Sequence, residues 1–311
     1  ECFLVLRPFL HTTIHPIRTI MTEEKSSCNH DCAHCSTKHD SCSNPSEREL
    51  KFIAQMADIK HKIIVLSGKG GVGKSTVSVN IAFSLAMAGY RVGLMDVDFH
   101  GPSIPTMLGV KGMRAESDNN AILPLEVAGV KVISVDFFLA DSGEAVIWRG
   151  PMKQGAIKQF FEDVAWGELD FLVIDCPPGT GDEPLGLCQI VKGDKRAVVV
   201  TTPQEVAAAD VRKSLDFCAK LSLPVIGIIE NMSGFACPHC ATVTYIFKQG
   251  GGEKLAEQAK VPFLGRIPID PTVADCSDEG QPLVYKYPDS PTAKAFAEAV
   301  RPIGKLLQEE A

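Results

Sequence analysis

The chain has no uninterrupted apolar run near the ~20 residues that span a bilayer, so no membrane-crossing helix is expected. It also has no block of lysines and arginines. Its 31 basic residues are outnumbered by 38 acidic ones, a formal net charge of −7. Non-specific binding to DNA or to anionic membranes draws on excess positive charge, and neither is favoured. The first twenty residues lack the small-residue cleavage pattern of a secretory signal. They also lack an initiating methionine: the chain opens at Glu1, and the first methionine is Met21. The expectation is that Met21 is the true start and that residues 1–21 are an upstream artefact or a disordered leader.

What is present centres on Ile63 to Thr76, IIVLSGKGGVGKST. Four apolar β-formers, Ile63 to Leu66, read as a buried parallel strand. Gly68 to Ser75 fits G-x-x-x-x-G-K-[ST], and Val77, Ile81 and Leu85 then recur on one helical face. Strand, glycine loop and helix in that order form a phosphate-binding loop. Backbone N–H groups of Gly68, Lys69, Gly70, Gly71, Val72, Gly73, Lys74, Ser75 and Thr76 can surround phosphate oxygens, helped by the helix N-terminus. Lys74 would reach the β- and γ-phosphates of ATP, and Ser75 would hold Mg²⁺. The second lysine, Lys69, makes GKGGVGKST resemble the deviant phosphate loop of the ParA/MinD/nitrogenase-iron-protein ATPases. In those proteins the extra lysine crosses a dimer interface to the partner's nucleotide. The resemblance implies the same for Lys69, with its charge on the transferring phosphoryl group.

Eleven cysteines in a chain of 311 residues do not suggest a small disulfide scaffold. Cys28, Cys32, Cys35 and Cys42 crowd a polar leader, 22–50, with almost no apolar residues to pack. Four thiolates suit a [4Fe–4S] cluster. Zinc is the alternative, because His30, His34 and His39 lie among them; a tail without metal is the third reading. CxxxCxxC also fits the radical S-adenosylmethionine pattern, but a phosphate loop follows where a barrel would be needed. Cys237 and Cys240 form a second pair, CPHC. Two thiols cannot fill a four-ligand site. The simplest completion is a twofold axis that brings the same pair from a second subunit, giving a bridging [4Fe–4S] cluster. That axis would also carry Lys69 to the partner's nucleotide. Cys176, Cys188, Cys218 and Cys276 read as core thiols.

The remaining pattern is α/β: a doubly wound, mostly parallel sheet with helices on both faces, residues 51–311, behind the cysteine-rich extension. A helix is expected over 47–59 and strands over 91–96, 131–135, 171–175, 197–201, 225–230 and 263–267. Residues 112–129 read as a surface excursion, and Trp148-Arg149-Gly150-Pro151 precedes a helix that reaches Trp166. The closing helix, 292–309, should break near Pro302. Asp96 and Asp98 end one strand, where α/β folds place ligands, and either orient water or cap the next helix. FLVID, ending in Asp175, has the form of a Walker B element beside Mg²⁺, and the Pro- and Gly-rich loop after it can sense the γ-phosphate. Asn231 either reads the adenine edge or is a turn residue.

SGKGGVGKST, DVDFHGPSIP, IDCPPGTGDE, ENMSGF and CPHC, in this order, resemble the Mrp/NBP (ApbC-type) iron–sulfur cluster carrier ATPases over about residues 60–290. The leader is similar to the N-terminal motif of the NBP branch, although the family's first cysteine usually stands further upstream; Cys28 is the plain choice and Cys2 the other. The resemblance implies a cytoplasmic, ATP-hydrolysing homodimer that holds a labile cluster between subunits and passes it from cluster donors to apo-proteins. A positioning ATPase of the ParA/MinD kind is an alternative, but it predicts a basic surface or membrane helix and no CxxC. An ATP-gated electron donor like the nitrogenase iron protein is the other; its two ligands lie on separate loops.

Overall fold

The computed structural model describes residues 47–118, 121–138, 150–237, 239–240 and 242–308. The leader cysteines Cys28, Cys32, Cys35 and Cys42, and Trp148-Arg149, lie outside them.

An eight-stranded sheet organises the rest. From one edge its strands are Phe263–Arg266, Val225–Glu230, Lys195–Thr201, Ile59–Ser67, Leu169–Asp175, Val92–Asp96, Val130–Ser134 and Leu125–Val127. All neighbours are parallel except the last pair. Strands covered on both faces by helices need side chains apolar on both faces, and these have them: every residue of Leu169–Asp175 and Val92–Asp96 is buried. From Ile59–Ser67 the chain first builds one side of the sheet, inserting Leu169–Asp175 last beside the central strand, and then the other side, so the topological switch point lies at that strand. Ligands of open α/β sheets bind at the carboxyl ends there. Register brings the key carboxylates together at that end: Asp175 pairs with Val65 on one side and with Asp96 on the other.

The central strand starts at Ile59, four residues before its apolar run. His61 and Lys62 hide this start because both are polar, yet both are buried. Lys62 Nζ donates to the carbonyls of Met56 (2.7 Å) and Ile59 (2.6 Å), capping the end of helix Glu47–Asp58. Burial lowers its pKa, and Asp194 opposes that shift in part. His61 stacks on Phe171, with its Nδ1 2.6 Å from Asp194 Oδ2.

Asp170 ties three strand ends together. It accepts from Arg91 N (2.9 Å), Arg91 Nη2 (3.1 Å) and Lys60 Nζ (2.9 Å). Burial works against the charged form, but Arg91 and Lys60 overcome it and hold the carboxyl well below its usual range. Stability from such a depressed pKa is present above the unfolded-state value and is lost as pH falls through the folded one. Asp170→Asn should therefore cost about 1–2 kcal/mol in urea denaturation at neutral pH, and the gap from wild type should narrow only below about pH 4.

Three elements differ from expectation. Residues 112–129 are not plain loop: they hold a hairpin, Glu116–Asp118 with Ala121–Leu123, and the antiparallel edge strand. These strands are three residues each, too short for alternation to show. The helix expected to reach Trp166 is Gly150–Glu162 and ends earlier; Trp166 is a buried loop residue whose Nε1 donates to Phe160 O (2.9 Å). The closing helix, Pro291–Gly304, runs through Pro302 and only then tightens into the 3₁₀ turn Lys305–Leu307. Burial of Phe296, Ala299, Val300 and Ile303 holds its last turn in place.

Candidate functional site

The phosphate loop joins strand Ile59–Ser67 to helix Lys74–Met87. Gly71 and Gly73 both adopt φ of 78°, a left-handed conformation that folds the loop back on itself. Gly68 is needed for a different reason: a Cβ there would lie 2.5 Å from the Asp210 carbonyl carbon, so helix Glu205–Lys220 abuts the loop. Ser67 Oγ donates to Lys69 O (3.1 Å), and Gly179 N to Ser67 O (2.8 Å). A cavity of about 200 Å³ lies over the loop, lined by Lys69, Gly70, Gly71, Gly73, Lys74, Ser75, Thr76, Asp98 and Pro178 among others. Val72 is buried and packs into the core beneath.

Beneath that cavity lies a dense charge cluster. Lys74 Nζ is 2.8 Å from Asp175 Oδ1 and 3.8 Å from Asp98 Oδ2. Ser75 Oγ donates to Asp175 Oδ2 (2.6 Å), and Ser78 Oγ to Asp175 Oδ1 (2.7 Å). Burial alone would depress the Lys74 ammonium, but Asp175, aided by Asp98 and Asp96, holds its pKa above the ordinary value. Burial pushes the Asp98 carboxyl up, partly offset by Lys74. Asp96 is fully buried, and burial followed by the charge of Asp175 raises its pKa strongly. It accepts from Ser134 Oγ (3.0 Å) and from Asp98 N (3.1 Å). Asp96 thus braces the turn that presents Asp98, while Asp98 receives His100 N (3.2 Å) and faces the cavity. Neither caps the short helix Ile104–Met107, whose N-cap is Ser103. A serine hydroxyl beside carboxylates is a hard-oxygen set of the kind that suits Mg²⁺.

Two features escaped sequence reasoning. Ser78 stands one helical turn after Lys74, and that spacing could have marked it. The other left no local signal. Lys153, buried in helix Gly150–Glu162, lies 2.5 Å from Glu183 Oε1, while His100 Nε2 lies 3.0 Å from Lys153 Nζ and 3.2 Å from Glu183 Oε1. This contact joins the loop carrying Asp98 to helix Asp182–Ile190, which follows the Pro- and Gly-rich loop.

A second cavity, about 350 Å³, shares Gly73, Thr76 and Met107 with the first, and adds Asn231, Met232, Ile267 and Pro268. It has the size and the largely apolar wall expected for a nucleoside base. Asn231 follows strand Val225–Glu230, and its Nδ2 donates to Val72 O (2.9 Å). A larger cavity, about 460 Å³, lies at the far end of the phosphate-loop helix, among Leu85, Tyr90, Val300 and Gly304, away from every candidate residue.

The thiol pair sits at the tip of a small hairpin, Phe235–Ala236 against Val243–Thr244. Cys237 N donates to Thr242 O (3.0 Å) and closes the tip. Cys240 is exposed, with Sγ 3.3 Å from Thr242 Oγ1. Hydrogen bonds from the Thr242 side chain and backbone, then from Cys237, lower its pKa toward the thiolate that binds metal. No third Cys, His, Asp or Glu among the described residues completes a metal site with the pair. The other four described cysteines are buried and inert; burial pushes Cys188 to about 11 and Cys218 to about 12.

A mostly parallel sheet, a phosphate loop at its switch point and a lysine–serine–aspartate cluster beneath define a P-loop nucleoside triphosphatase, an ATP hydrolase by class. Residues 58–304 match the family described as "ParA: NUBPL iron-transfer P-loop NTPase", and the chain belongs to that family. It is 48% identical over 261 residues to an iron-sulfur cluster carrier protein of Saccharolobus solfataricus, covering 84% of this chain and 88% of the relative. It is 47% identical over 259 residues to the cytosolic Fe-S cluster assembly factor NUBP2 of Bos taurus, covering 82% and 94%. Among solved structures it is similar to a nucleotide-binding protein of Archaeoglobus fulgidus in complex with ADP, with 39% identity, a TM-score of 0.70, and coverage of 79% and 96%. The septum site-determining protein MinD of Pyrococcus horikoshii, complexed with Mg-ADP, gives 25% identity, a TM-score of 0.61, and coverage of 81% and 99%. Both the family and the fold are those expected from the sequence. No helix among the described residues is long and apolar enough to cross a membrane.

Proposed function

We propose that this chain is an iron–sulfur cluster carrier ATPase that works as a cytoplasmic homodimer, holding a labile [4Fe–4S] cluster as cargo and passing it to apo-proteins. The observation that carries this is the hairpin tip: an exposed thiol with its pKa lowered, a half-buried thiol beside it, and no further ligand among the described residues. A site two ligands short is suited to a cluster shared by two copies and later released. The four leader cysteines, Cys28 to Cys42, would hold a second [4Fe–4S] cluster.

Each nucleotide-site residue then has a task. Ser75 and Asp175 would hold Mg²⁺, which supplies positive charge to the phosphates. The phosphate-loop N–H groups and Lys74 bind the β- and γ-phosphates. Asp98, at the cavity wall, orients the attacking water. Lys69, which lines the same cavity, reaches the nucleotide of the partner subunit and adds charge to the transferring group. The base occupies the cavity beside Asn231. With one Asn231 N–H committed to Val72, the side-chain carbonyl oxygen has the task of accepting from an exocyclic amine such as that of adenine.

The test is anaerobic cluster transfer. Reconstituted chain is mixed with an apo-protein that becomes active on receiving [4Fe–4S], with Mg-ATP, with Mg-ADP and with no nucleotide. Activation of the acceptor that depends on Cys237 and Cys240 is expected, and its rate should change with nucleotide. An acceptor activated equally well by chains lacking both thiols would refute the carrier reading.

A further inference from the structure

Nucleotide pocket and thiol hairpin stand apart in the sequence, yet a short chain of bonds joins them. We propose that Asn231 is the positioning residue that couples nucleotide in the phosphate loop to the geometry of the Cys237/Cys240 hairpin. The proposal rests on the carrier reading for its purpose, but not for its test.

The link begins at one peptide group. The carbonyl of Val72 accepts the Asn231 amide at 2.9 Å. No cis peptide bond occurs among the described residues, so the Gly73 N–H on that planar unit points the opposite way from the carbonyl. Gly73 lines the phosphate cavity, and its N–H belongs to the phosphate cradle. One rigid group thus has a phosphate donor on one side and Asn231 on the other. When the donor engages phosphate, the group reorients and polarises, and Asn231 is the side chain bonded to it. The approach is close by construction: a Cβ on Gly73 would lie 2.2 Å from Asn231 Nδ2. Asn231 is buried, and its own N–H is fixed to Thr201 O at 2.8 Å, so the side chain has little freedom to absorb a shift.

The second half of the link is the root of the hairpin. The excursion that bears the thiols leaves the sheet at Asn231 and ends at Gly250, the N-cap of helix Gly251–Ala259. Both ends are held by the buried carboxylate of Glu230, which accepts from Ser233 Oγ (2.6 Å), Gly250 N (3.1 Å) and Gly252 N (2.6 Å). Between them Met232 takes a left-handed φ of 57°, uncommon for a side chain of its kind, and lines the base cavity. From there the segment is tied down: Ser233 N donates to Ile267 O, Ile269 N to Gly234 O, and Phe235–Ala236 forms the hairpin strand that leads to Cys237. Only five residues separate Asn231, whose amide bonds the phosphate loop, from the first thiol. A displacement at Asn231 therefore arrives as a tilt of the hairpin and is not dissipated in a loose loop.

The experiment reads the thiols directly and needs no cluster. Full-length apo-protein is treated with iodoacetamide, with and without saturating ADP, and alkylation of each cysteine is followed by peptide mass spectrometry. Protein is kept dilute enough that sedimentation shows no change of oligomer with ADP. In wild type, ADP should change the Cys240 rate at least threefold while leaving Cys276 unchanged. In Asn231→Ala and in the near-isosteric Asn231→Asp, ADP is supplied at tenfold each variant's own Kd; bound ADP should then leave the Cys240 rate unaltered. A variant that retains the wild-type ADP response overturns the proposal, and so does a wild type with no response. Amide exchange over 232–236 in wild type provides a measurement independent of the variants: it should slow with ADP, and no change there overturns the proposal equally. If ADP gates the thiols but reconstitution places no iron on them, the carrier reading fails and the coupling stands.

Discussion

Lys74→Met is expected to lower ATP turnover at least about a hundredfold and to destabilise the nucleotide-free protein by about 3 kcal/mol. The first effect follows from the place of the ammonium in the wall of the phosphate cavity, where it neutralises charge on the transferring group. The second follows from its partner. Asp175 has no exposure, and Lys74 Nζ at 2.8 Å is the cation compensating it. Removing one member of a buried pair leaves the other charge stranded, which costs more than the pair contributes intact. Hydroxyls of Ser75 and Ser78 stay on the carboxylate and keep the cost at the low end of its range. The two effects separate in Lys74→Met/Asp175→Asn. Neutralising the stranded charge should restore most of the stability, read from urea midpoints, while turnover stays lost because the phosphate-facing ammonium and the carboxylate that would hold Mg²⁺ are both gone. A double variant as unstable as the single one would show that Asp175 is not the source of the loss.

Much of this site was legible in the sequence because phosphate binding imposes a local pattern. Glycines, lysine and serine must be adjacent in the chain to make a loop and open a helix, so Gly68 to Thr76 could be read one after another. Asp175 was legible for a similar reason: four buried apolar residues ending in a carboxylate leave few other roles. The long-range contacts were not. Asn231 looked like either a base reader or a turn residue, because nothing near it in sequence says that Val72 lies 2.9 Å away. Lys153 and Glu183 meet His100 only because three elements converge on one strand end. His61 and Lys62 misled in the other direction. Two polar residues just before an apolar run read as the approach to a strand, whereas Asp194 and the open carbonyls of a helix end make them part of it. The base cavity drew Met232, Ile267 and Pro268 from two segments, and none has a recognisable pattern of its own.

The hairpin thiols give the other large effect, and subunit mixing tests it more sharply than simple removal. Reconstituted wild type should carry about four hairpin irons per dimer, and Cys237→Ser/Cys240→Ser should carry none above the iron held elsewhere in the chain. If each pair closed a site within its own chain, an equal mixture of the two proteins would keep half of the wild-type hairpin iron, whatever the subunits did. If the site is shared, equal mixing with full subunit exchange leaves only about a quarter of dimers with four thiolates, and hairpin iron falls to about a quarter. Any cluster on the leader cysteines contributes equally in both proteins and cancels when the variant alone is subtracted. The difference between a half and a quarter arises only from geometry. Cys237 and Cys240 stand at the tip of a two-stranded projection, and the described residues around them offer no third ligand. A cluster bound there needs ligands from beyond the described residues, and a second copy presents the same two sulfurs. Retention of half the iron would place the missing ligands within one chain and remove the reason for the dimer.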